Sequence, residues 1–218
     1  MDFDKQRQQL LDELKREGIT DQRVLAAIEA IPRERFVPAS YQALAYDNSA
    51  LPIGEGQTIS QPFIVALMTQ SLALTGSETV LEIGTGSGYQ AAILASLCHR
   101  LVTMERLPGL AKPAEQLLSE LGFDNIEYVV GDGTLGWPEA APYDGIIVTA
   151  AAPAIPGPLY DQLRIGGKLV IPIGGESLQE LQLIEKRESG PDVKFLCDCR
   201  FVKLIGEAGW PTENTAFD

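Results

Sequence analysis

The stretch Val80-Leu81-Glu82-Ile83-Gly84-Thr85-Gly86-Ser87-Gly88-Tyr89 decides the fold class. An apolar run ends in an acid, three alternating glycines follow, and the apolar residues of 90–97 predict a helix. Strand, glycine loop and helix are the opening unit of nucleotide-binding α/β folds. Because glycine lacks a Cβ, a ligand can lie against bare backbone there, and the helix start offers unpaired N–H groups.

The spacing within this loop narrows the class of ligand. The dinucleotide fingerprint is G-x-G-x-x-G, whereas this loop has G-x-G-x-G with Tyr89 at the third position of the fingerprint. No Lys or Arg lies in the loop, which excludes a phosphate-binding P-loop, and Glu82 would repel a pyrophosphate. A ligand with adenosine, no phosphate and a positive charge fits better, and S-adenosylmethionine is such a ligand. The alternative is a tight turn that binds nothing.

Two further acids follow predicted strands on the same edge. The strand 101–105 ends in Glu105, about 20 residues past the first glycine, where an acid accepts hydrogen bonds from both ribose hydroxyls. The strand 126–130 leads to Asp132, which can accept from an adenine amino group, and to Gly133, which allows close approach of the ring. Ligands of open α/β sheets bind at the carboxyl ends of strands, so we expect one cleft.

Composition limits the class of protein. The 218 residues suffice for one domain, and 45% hydrophobic with 22% charged residues is typical of globular proteins. A net charge of −13 disfavours nucleic acids and anionic membranes as partners. The N-terminus lacks an apolar signal core, no apolar run could span a bilayer, and three cysteines do not suggest a disulfide framework. We expect a cytoplasmic monomer with one domain over 1–218.

The order of the predicted elements indicates an α/β fold. The N-terminal helical segment covers about 1–75, with helices around Leu10–Leu14, from a Thr20 cap to Pro32, and from Pro62 to about Thr75. Strands follow at 143–148 and, after a Gly166-Gly167 turn, at 168–173, with a helix near 158–163. Strands that alternate with helices predict a doubly wound, Rossmann-like, mostly parallel sheet with helices on both faces. The N-terminal helices would form a cap.

The C-terminal part has a different pattern. Residues 181–183 and 193–201 alternate apolar and polar residues around Ser189-Gly190-Pro191-Asp192, which predicts an antiparallel hairpin with Cys197 and Cys199 on one face. One interpretation is that these two cysteines together bind a metal ion. Because Cys98 and the only histidine, His99, are distant in sequence, we favour core packing and predict no metal site. Residues 210–218 predict a loose tail.

The chemistry of familiar hydrolases is poorly supported. One histidine and the absence of a G-x-S-x-G elbow argue against a Ser-His-Asp enzyme. Ser60 stands just before the helix that begins near Pro62, so its hydroxyl could cap that helix or face the cleft. Transfer of a methyl group from a sulfonium needs no strong protein base if the acceptor is already ionised.

Five motifs together resemble the protein-L-isoaspartate O-methyltransferase family. They are Gly-Gln-Thr-Ile-Ser-Gln-Pro at 56–62, Leu-Glu-Ile-Gly-Thr-Gly-Ser-Gly at 81–88, Val-Gly-Asp-Gly at 130–133, Ala-Pro-Tyr-Asp at 141–144 and Phe-Val-Lys-Leu at 201–204. The resemblance covers nearly the whole chain. The glycine loop is common to many methyltransferases, whereas Thr-Ile-Ser-Gln-Pro is far more specific. The chain departs at Ile165, where a proline is frequent, and in its own tail.

The resemblance implies an activity and a set of site residues. The family methylates the free α-carboxylate of L-isoaspartyl residues with S-adenosylmethionine, leaving S-adenosylhomocysteine, and the ester cyclises to a succinimide that partly returns to Asp. Ser60 would be the catalytic residue that touches the acceptor carboxylate, and Gly174, Gly175 and Val202 would flank an extended peptide through backbone contacts. The implied cofactor residues are Thr58, Ile59, Glu82, Gly84, Thr85, Gly86, Gly88, Glu105, Asp132 and Gly133.

Three alternatives stay open at this point. A methyltransferase with another acceptor would keep the glycines and acids without needing the Ser60 stretch. An enzyme dedicated to one partner chain could keep both. A cofactor-binding adaptor would need partner-binding sequence for which 218 residues leave little room.

Overall fold

The computed structural model describes residues 2–211. Its helices are α1 (Phe3–Arg16), α2 (Gln22–Ala30), α3 (Pro62–Leu72), α4 (Tyr89–Ala95), α5 (Pro108–Glu120) and α6 (Gly157–Asp161). Its strands are β1 (Leu51–Gly54), β2 (Gln57–Ile59), β3 (Thr79–Ile83), β4 (Arg100–Glu105), β5 (Ile126–Val130), β6 (Tyr143–Val148), β7 (Leu163–Gly174), β8 (Gln179–Arg187) and β9 (Gly190–Cys199). Short 3₁₀ turns span Arg33–Phe36, Ala39–Leu44, Gly133–Leu135 and Pro138–Ala140.

Seven strands form the central sheet in the order β5-β4-β3-β6-β7-β8-β9. The first five in this order are parallel, and β8 and β9 are antiparallel to their neighbours. The chain moves outward from β3 to β5 and then returns to place β6 on the other side of β3. The sheet therefore reverses its order between β3 and β6, which is where such sheets bind ligands. The predicted parallel sheet and C-terminal hairpin are confirmed.

Both faces of the sheet are buried, which explains the apolar runs of its parallel strands. Neighbouring residues of one strand belong to different cores: Val80 packs with the N-terminal helices, whereas Leu81 packs on the opposite face with Leu159 of α6. The same alternation holds for Leu101 and Val102. Helices on both faces are confirmed.

The N-terminal helices differ from prediction at their ends. Asp21, and not Thr20, caps α2, because its carboxylate accepts a hydrogen bond from the Arg23 N–H at 2.9 Å. The Thr20 N–H instead donates to Oε1 of Gln70 on α3. Helix α3 ends at Leu72, before the predicted Thr75, because Ala73 adopts a left-handed conformation.

The C-terminal strands carry two departures from prediction. A bulge in β9 pairs Leu181 with Cys197 but Gln182 with Phe195, so Leu196 is the extra residue. Cys197 and Cys199 share one face as predicted, whereas Phe195 points to the other face and is 53% exposed. The prediction of a loose tail from residue 210 was wrong for Trp210, because its indole N–H donates to the Ala151 carbonyl at 3.0 Å. Residues 212–218 lie outside the described part.

Two smaller observations complete the fold. The predicted Gly166-Gly167 turn lies within β7, at a shift in its register with β6. Over residues 2–211, no helix has both the length and the apolar character needed to cross a bilayer.

Candidate active site

A cleft of about 800 Å³, counting the open solvent at its mouth, lies at the carboxyl edge of β3, β4 and β6. Its wall contains most of the predicted site residues, namely Thr58, Ile59, Ser60, Gly84, Thr85, Gly86, Glu105, Gly133 and Val202. The structure therefore brings the glycine loop, the acid after β4 and the Ser60 segment into one concave site. Clefts at this position of an α/β sheet are typical ligand sites.

Hydrogen bonds to the ends of the neighbouring strands hold the glycine loop in place. The Gly84 N–H donates to the Met104 carbonyl at 2.8 Å, and the Thr149 hydroxyl lies 2.7 Å from the Gly84 carbonyl. Gly84 has a φ of +96°, and a Cβ built on it would overlap Oγ1 of Thr149. Only glycine satisfies both the backbone conformation and the space at this point.

The small hairpin of β1 and β2 covers the loop. Ile53 lies over Gly86, with its Cδ1 3.4 Å from where a Cβ of Gly86 would stand. From β2 the chain passes directly to Ser60, which is half-buried in the cleft wall. Ser60 does not cap α3: the N-cap residue is Gln61, and Oδ1 of Asn48 accepts the Phe63 N–H at 3.0 Å. Ser60 therefore lines the cleft without capping α3, and contact of its hydroxyl with an acceptor stays a prediction.

Glu105 is the buried acid of the cleft. Its Oε2 accepts from the Gly86 N–H at 2.9 Å, and its Oε1 accepts from the Leu107 N–H at 3.0 Å. The carboxylate therefore fixes the tip of the glycine loop. Each carboxylate oxygen has further acceptor capacity, so the group can also accept from a ligand hydroxyl.

Glu82 is placed differently from its prediction, since it does not line the cleft. It is 0% exposed beneath the loop, where its Oε2 accepts from the Thr103 hydroxyl at 2.6 Å. That hydroxyl also lies 2.6 Å from the hydroxyl of Thr85. The pKa of Glu82 is raised to about 8, because burial and the Glu105 charge raise it by more than the Thr103 hydrogen bond lowers it. A protonated Glu82 therefore supports the loop from within.

We expect Glu82→Gln to change how stability depends on pH. The unfolded chain releases this proton near pH 4.3 and the folded chain near 8, so the unfolded state binds fewer protons between these values. Wild-type stability should then fall relative to the variant by up to about 1.4 kcal/mol per pH unit across that window. Urea unfolding of both proteins from pH 5 to 9 measures the difference. A difference that does not change with pH would contradict a raised pKa.

Asp132 also lies outside the cleft wall. Its Oδ1 accepts from the Thr134 N–H and hydroxyl, and its Oδ2 accepts from the Glu207 N–H at 2.8 Å. Burial raises the pKa of Asp132, but these hydrogen bonds outweigh burial and leave it below the usual value. The carboxylate therefore anchors the segment after Gly206, while its neighbour Gly133 faces the cleft. Its contact with adenine stays a prediction.

Three predicted glycines are not part of the cleft wall either. Gly88 is the N-cap residue of α4 and packs on Leu118. Gly174 donates its N–H to the Ala152 carbonyl, and the Gly175 carbonyl accepts from the Gln179 side chain. Ala151, next to Ala152, donates in turn to the Val202 carbonyl, so Gly174 is separated from the cleft by one segment of chain. The ligand contacts of these glycines stay predictions.

Several cleft residues were missed by the sequence reasoning. They are Gln57, Val65, Ile83, Ser87, Tyr89, Gln90, Met104, Arg106 and Ile205. Thr149 and Ala150, the small residues after β6, and Lys203 and Leu204 of the 201–204 motif also line the cleft, as the sequence suggested. No comparable signal marks Tyr89 and Gln90, whose apolar-looking helix turns out to begin in the cleft.

Metal chemistry has no donor set in the part of the chain that the structure describes. Residues 2–211 contain no group of three or more His, Cys, Asp or Glu side chains that could hold a metal ion. Cys197 and Cys199 are free thiols that pack against the core shared with the N-terminal helices.

Comparison with known proteins identifies the family. The family model for protein-L-isoaspartate(D-aspartate) O-methyltransferase matches residues 5–209. The chain belongs to this family. A protein-L-isoaspartate O-methyltransferase of Dictyoglomus thermophilum is 54% identical over 209 residues, covering 96% of this chain and 95% of the relative. A family member from Geobacter metallireducens is 50% identical over 216 residues, covering 98% of this chain and 100% of the relative.

Solved structures of the family share the fold. One protein-L-isoaspartate O-methyltransferase superposes with a TM-score of 0.85 and 31% identity, covering 93% of this chain and 67% of that one. A family member from Plasmodium falciparum, solved in complex with S-adenosyl-L-homocysteine, superposes with a TM-score of 0.78 and 25% identity, covering 90% and 97%. The resemblance to the family that the sequence suggested is thus confirmed.

Proposed function

We propose that this chain transfers a methyl group from S-adenosylmethionine to the free α-carboxylate of L-isoaspartyl residues in peptides and proteins. The observation that carries the proposal is the position of Ser60 in the same cleft wall as the glycine loop and Glu105. A hydroxyl for the acceptor and a cradle for the methyl donor therefore stand within one site. Family membership supports the same assignment.

The cleft suits S-adenosylmethionine. Gly86 leaves bare backbone at the loop, and Glu105 offers acceptor oxygens for ribose hydroxyls. A Cβ on Gly133 would stand 2.5 Å from Cγ2 of Ile83, so that position admits only glycine beside the proposed adenine site. When bound, S-adenosylmethionine would supply a methyl group on a sulfonium, which an anionic carboxylate oxygen could attack directly with S-adenosylhomocysteine as the leaving group.

We expect Glu105→Gln to weaken cofactor binding about tenfold. A neutral amide replaces a charged acceptor, and hydrogen bonds to charged groups are worth roughly 1.5–3 kcal/mol. Calorimetric titration with S-adenosylhomocysteine measures the affinity. Glu29→Gln, on the exposed part of α2, removes the same charge and should leave the affinity unchanged. Equal affinities for wild type and Glu105→Gln would remove Glu105 from the cofactor site.

The acceptor chemistry favours a hydroxyl over a cation. An α-carboxyl group has a pKa of roughly 3.3–3.7, so the acceptor is anionic at neutral pH and needs no general base. Charge disappears when this carboxylate meets a sulfonium, so a direct cationic clamp would stabilise the ground state more than the transition state. Ser60 can hold the carboxylate without that penalty. Alignment of the reacting groups could lower the activation free energy of methyl transfer by up to about 7–11 kcal/mol.

The peptide around the acceptor is proposed to lie along Val202, with Gly174 and Gly175 further out. Val202 lines the cleft, and its segment runs parallel to Ala151 through a bridge at Lys203. Backbone contacts of this kind tolerate varied flanking residues. We further propose a cytoplasmic location, supported by three free cysteines, and no binding of nucleic acids, supported by a net charge of −13. The monomeric state stays a prediction.

The proposal is tested with labelled S-adenosylmethionine and paired peptides that differ only in Asp or L-isoAsp at one position. We expect methyl incorporation into the isoAsp peptide and none into its Asp partner. Equal labelling of both peptides, or labelling of neither while the cofactor binds, would contradict the proposed acceptor. A panel with different flanking residues then separates a general repair enzyme from one that serves a single partner sequence.

A further inference from the structure

Arg33 is a charged side chain buried without a counter-ion. It is 0% exposed, and no carboxylate among residues 2–211 lies within 4.0 Å of its guanidinium. Burying a charge without an opposite charge is costly, and an apolar side chain of similar size would be cheaper. The particular contacts that Arg33 makes therefore require explanation.

These contacts join three segments of the chain. Nε of Arg33 donates to the Ala45 carbonyl at 2.8 Å, and Nη2 donates to the Ser60 carbonyl at 2.9 Å. The guanidinium also stacks over Tyr89, with Cζ 4.7 Å from the ring centroid. Ser60 and Tyr89 both line the cleft, whereas Arg33 stands behind them, outside its wall. One planar group thus ties the Ser60 backbone to the first residue of α4.

The two ends of the Ser60 turn are held from different sides. Asn48 accepts the Phe63 N–H, and Arg33 donates to the Ser60 carbonyl. The Ser60 hydroxyl is joined to the backbone through one rotatable carbon torsion, so the backbone position limits it to the few directions of the staggered rotamers. Movement of the Ser60 carbonyl would therefore redirect the hydroxyl. A displacement of about 1 Å in a reacting group can cost on the order of 100-fold in rate.

We propose that Arg33 is a positioning residue that acts through Ser60, holding its hydroxyl in line with the acceptor carboxylate. The inference rests on the proposed function and adds a residue to it. Because Arg33 bonds the main chain behind Ser60, it orders the acceptor site without itself clamping the carboxylate. The planar fork that reaches both carbonyls and stacks on a ring is a property of Arg that Lys lacks.

The test compares Arg33→Met with wild type in single-turnover methyl transfer to an isoAsp peptide. Met keeps an unbranched apolar stem and removes the charge and both hydrogen bonds. We expect the rate at saturating peptide to fall about tenfold or more, since Ser60 is misaligned, while affinity for S-adenosylhomocysteine stays within about twofold. Rates are normalised to the cofactor-binding fraction, so partial unfolding does not mimic the effect. Arg35→Met removes an exposed charge from the same 3₁₀ turn and should match wild type.

A second comparison separates positioning from general support of the fold. Arg33→Met is introduced into the Ser60→Ala protein, where no hydroxyl is left to orient. Residues that act as a unit are strongly non-additive, so we expect the double variant to react at about the rate of Ser60→Ala alone. An equal fold-loss in both backgrounds, or an unchanged rate in Arg33→Met, would overturn the inference.

The wild-type control distinguishes the two proposals. If wild type methylates the isoAsp peptide and Arg33→Met is fully active, only the proposed role of Arg33 is overturned. A wild type that binds S-adenosylhomocysteine but leaves the isoAsp peptide unmethylated would overturn the proposed function and this inference with it.

Discussion

Gly84→Ala is expected to lower cofactor affinity about 100-fold, equivalent to roughly 3 kcal/mol. At a φ of +96° an alanine is strained by about 1–3 kcal/mol. Its Cβ would also overlap the Thr149 hydroxyl, which lies 2.7 Å from the Gly84 carbonyl, so the loop must move. Movement of the loop carries the Gly86 N–H away from Glu105, and both are parts of the proposed cofactor site. Calorimetric titration with S-adenosylhomocysteine measures the loss.

Two further variants separate strain from displacement of the loop. Gly18→Ala places alanine at a φ of +100° with no atom within 4 Å of the new Cβ, in the turn after α1. It should lower the melting temperature and leave cofactor affinity unchanged. Gly84→Ala combined with Thr149→Ala removes the obstructing hydroxyl and should recover part of the affinity. Full affinity in Gly84→Ala alone would show that the ligand does not depend on this loop.

The parts of the site that follow strand ends could be predicted from sequence. Gly84, Gly86 and Glu105 are positioned by the local order of strand, loop and helix together with the parallel sheet, and the structure brings them into one cleft. Asp132 also follows the end of a strand, but its side chain is not part of the cleft wall. Its carboxylate is captured by Thr134 and by a backbone N–H far along the chain, and such a partner has no local signal.

Residues whose role depends on distant contacts were the ones missed. Arg33 lies in a charged stretch, Arg33-Glu34-Arg35, and charged side chains are mostly exposed in proteins. Only the packing of Tyr89 and the carbonyls of Ala45 and Ser60 turns it inward. The β9 bulge is a similar case, because strict alternation of apolar residues cannot reveal one inserted residue.

Ser60→Ala is expected to slow methyl transfer to isoAsp peptides by roughly 10- to 150-fold. The range follows from losing one hydrogen bond to a charged carboxylate, worth roughly 1.5–3 kcal/mol. Cofactor affinity should stay near that of wild type, because the glycine loop and Glu105 are untouched. The melting temperature should also change little, since Asn48, and not Ser60, accepts the Phe63 N–H at the start of α3. Single-turnover rates and thermal unfolding of the same preparation provide both values.

Asn48→Ala is the matched control, because it should produce the opposite pattern. The substitution leaves the Phe63 N–H without its acceptor, removes the hydrogen bonds that the amide donates to Glu13 and Glu17, and should lower stability by about 1 kcal/mol or more. The rate per folded enzyme should remain near that of wild type, because Asn48 bonds the backbone at Phe63, inside α3, while Arg33 still holds the Ser60 carbonyl itself. If Ser60→Ala instead kept full turnover and lost stability, its hydroxyl would serve the fold and the acceptor site would have to be sought elsewhere in the cleft. The crossed outcome, with rate lost in one variant and stability in the other, assigns Ser60 to the acceptor.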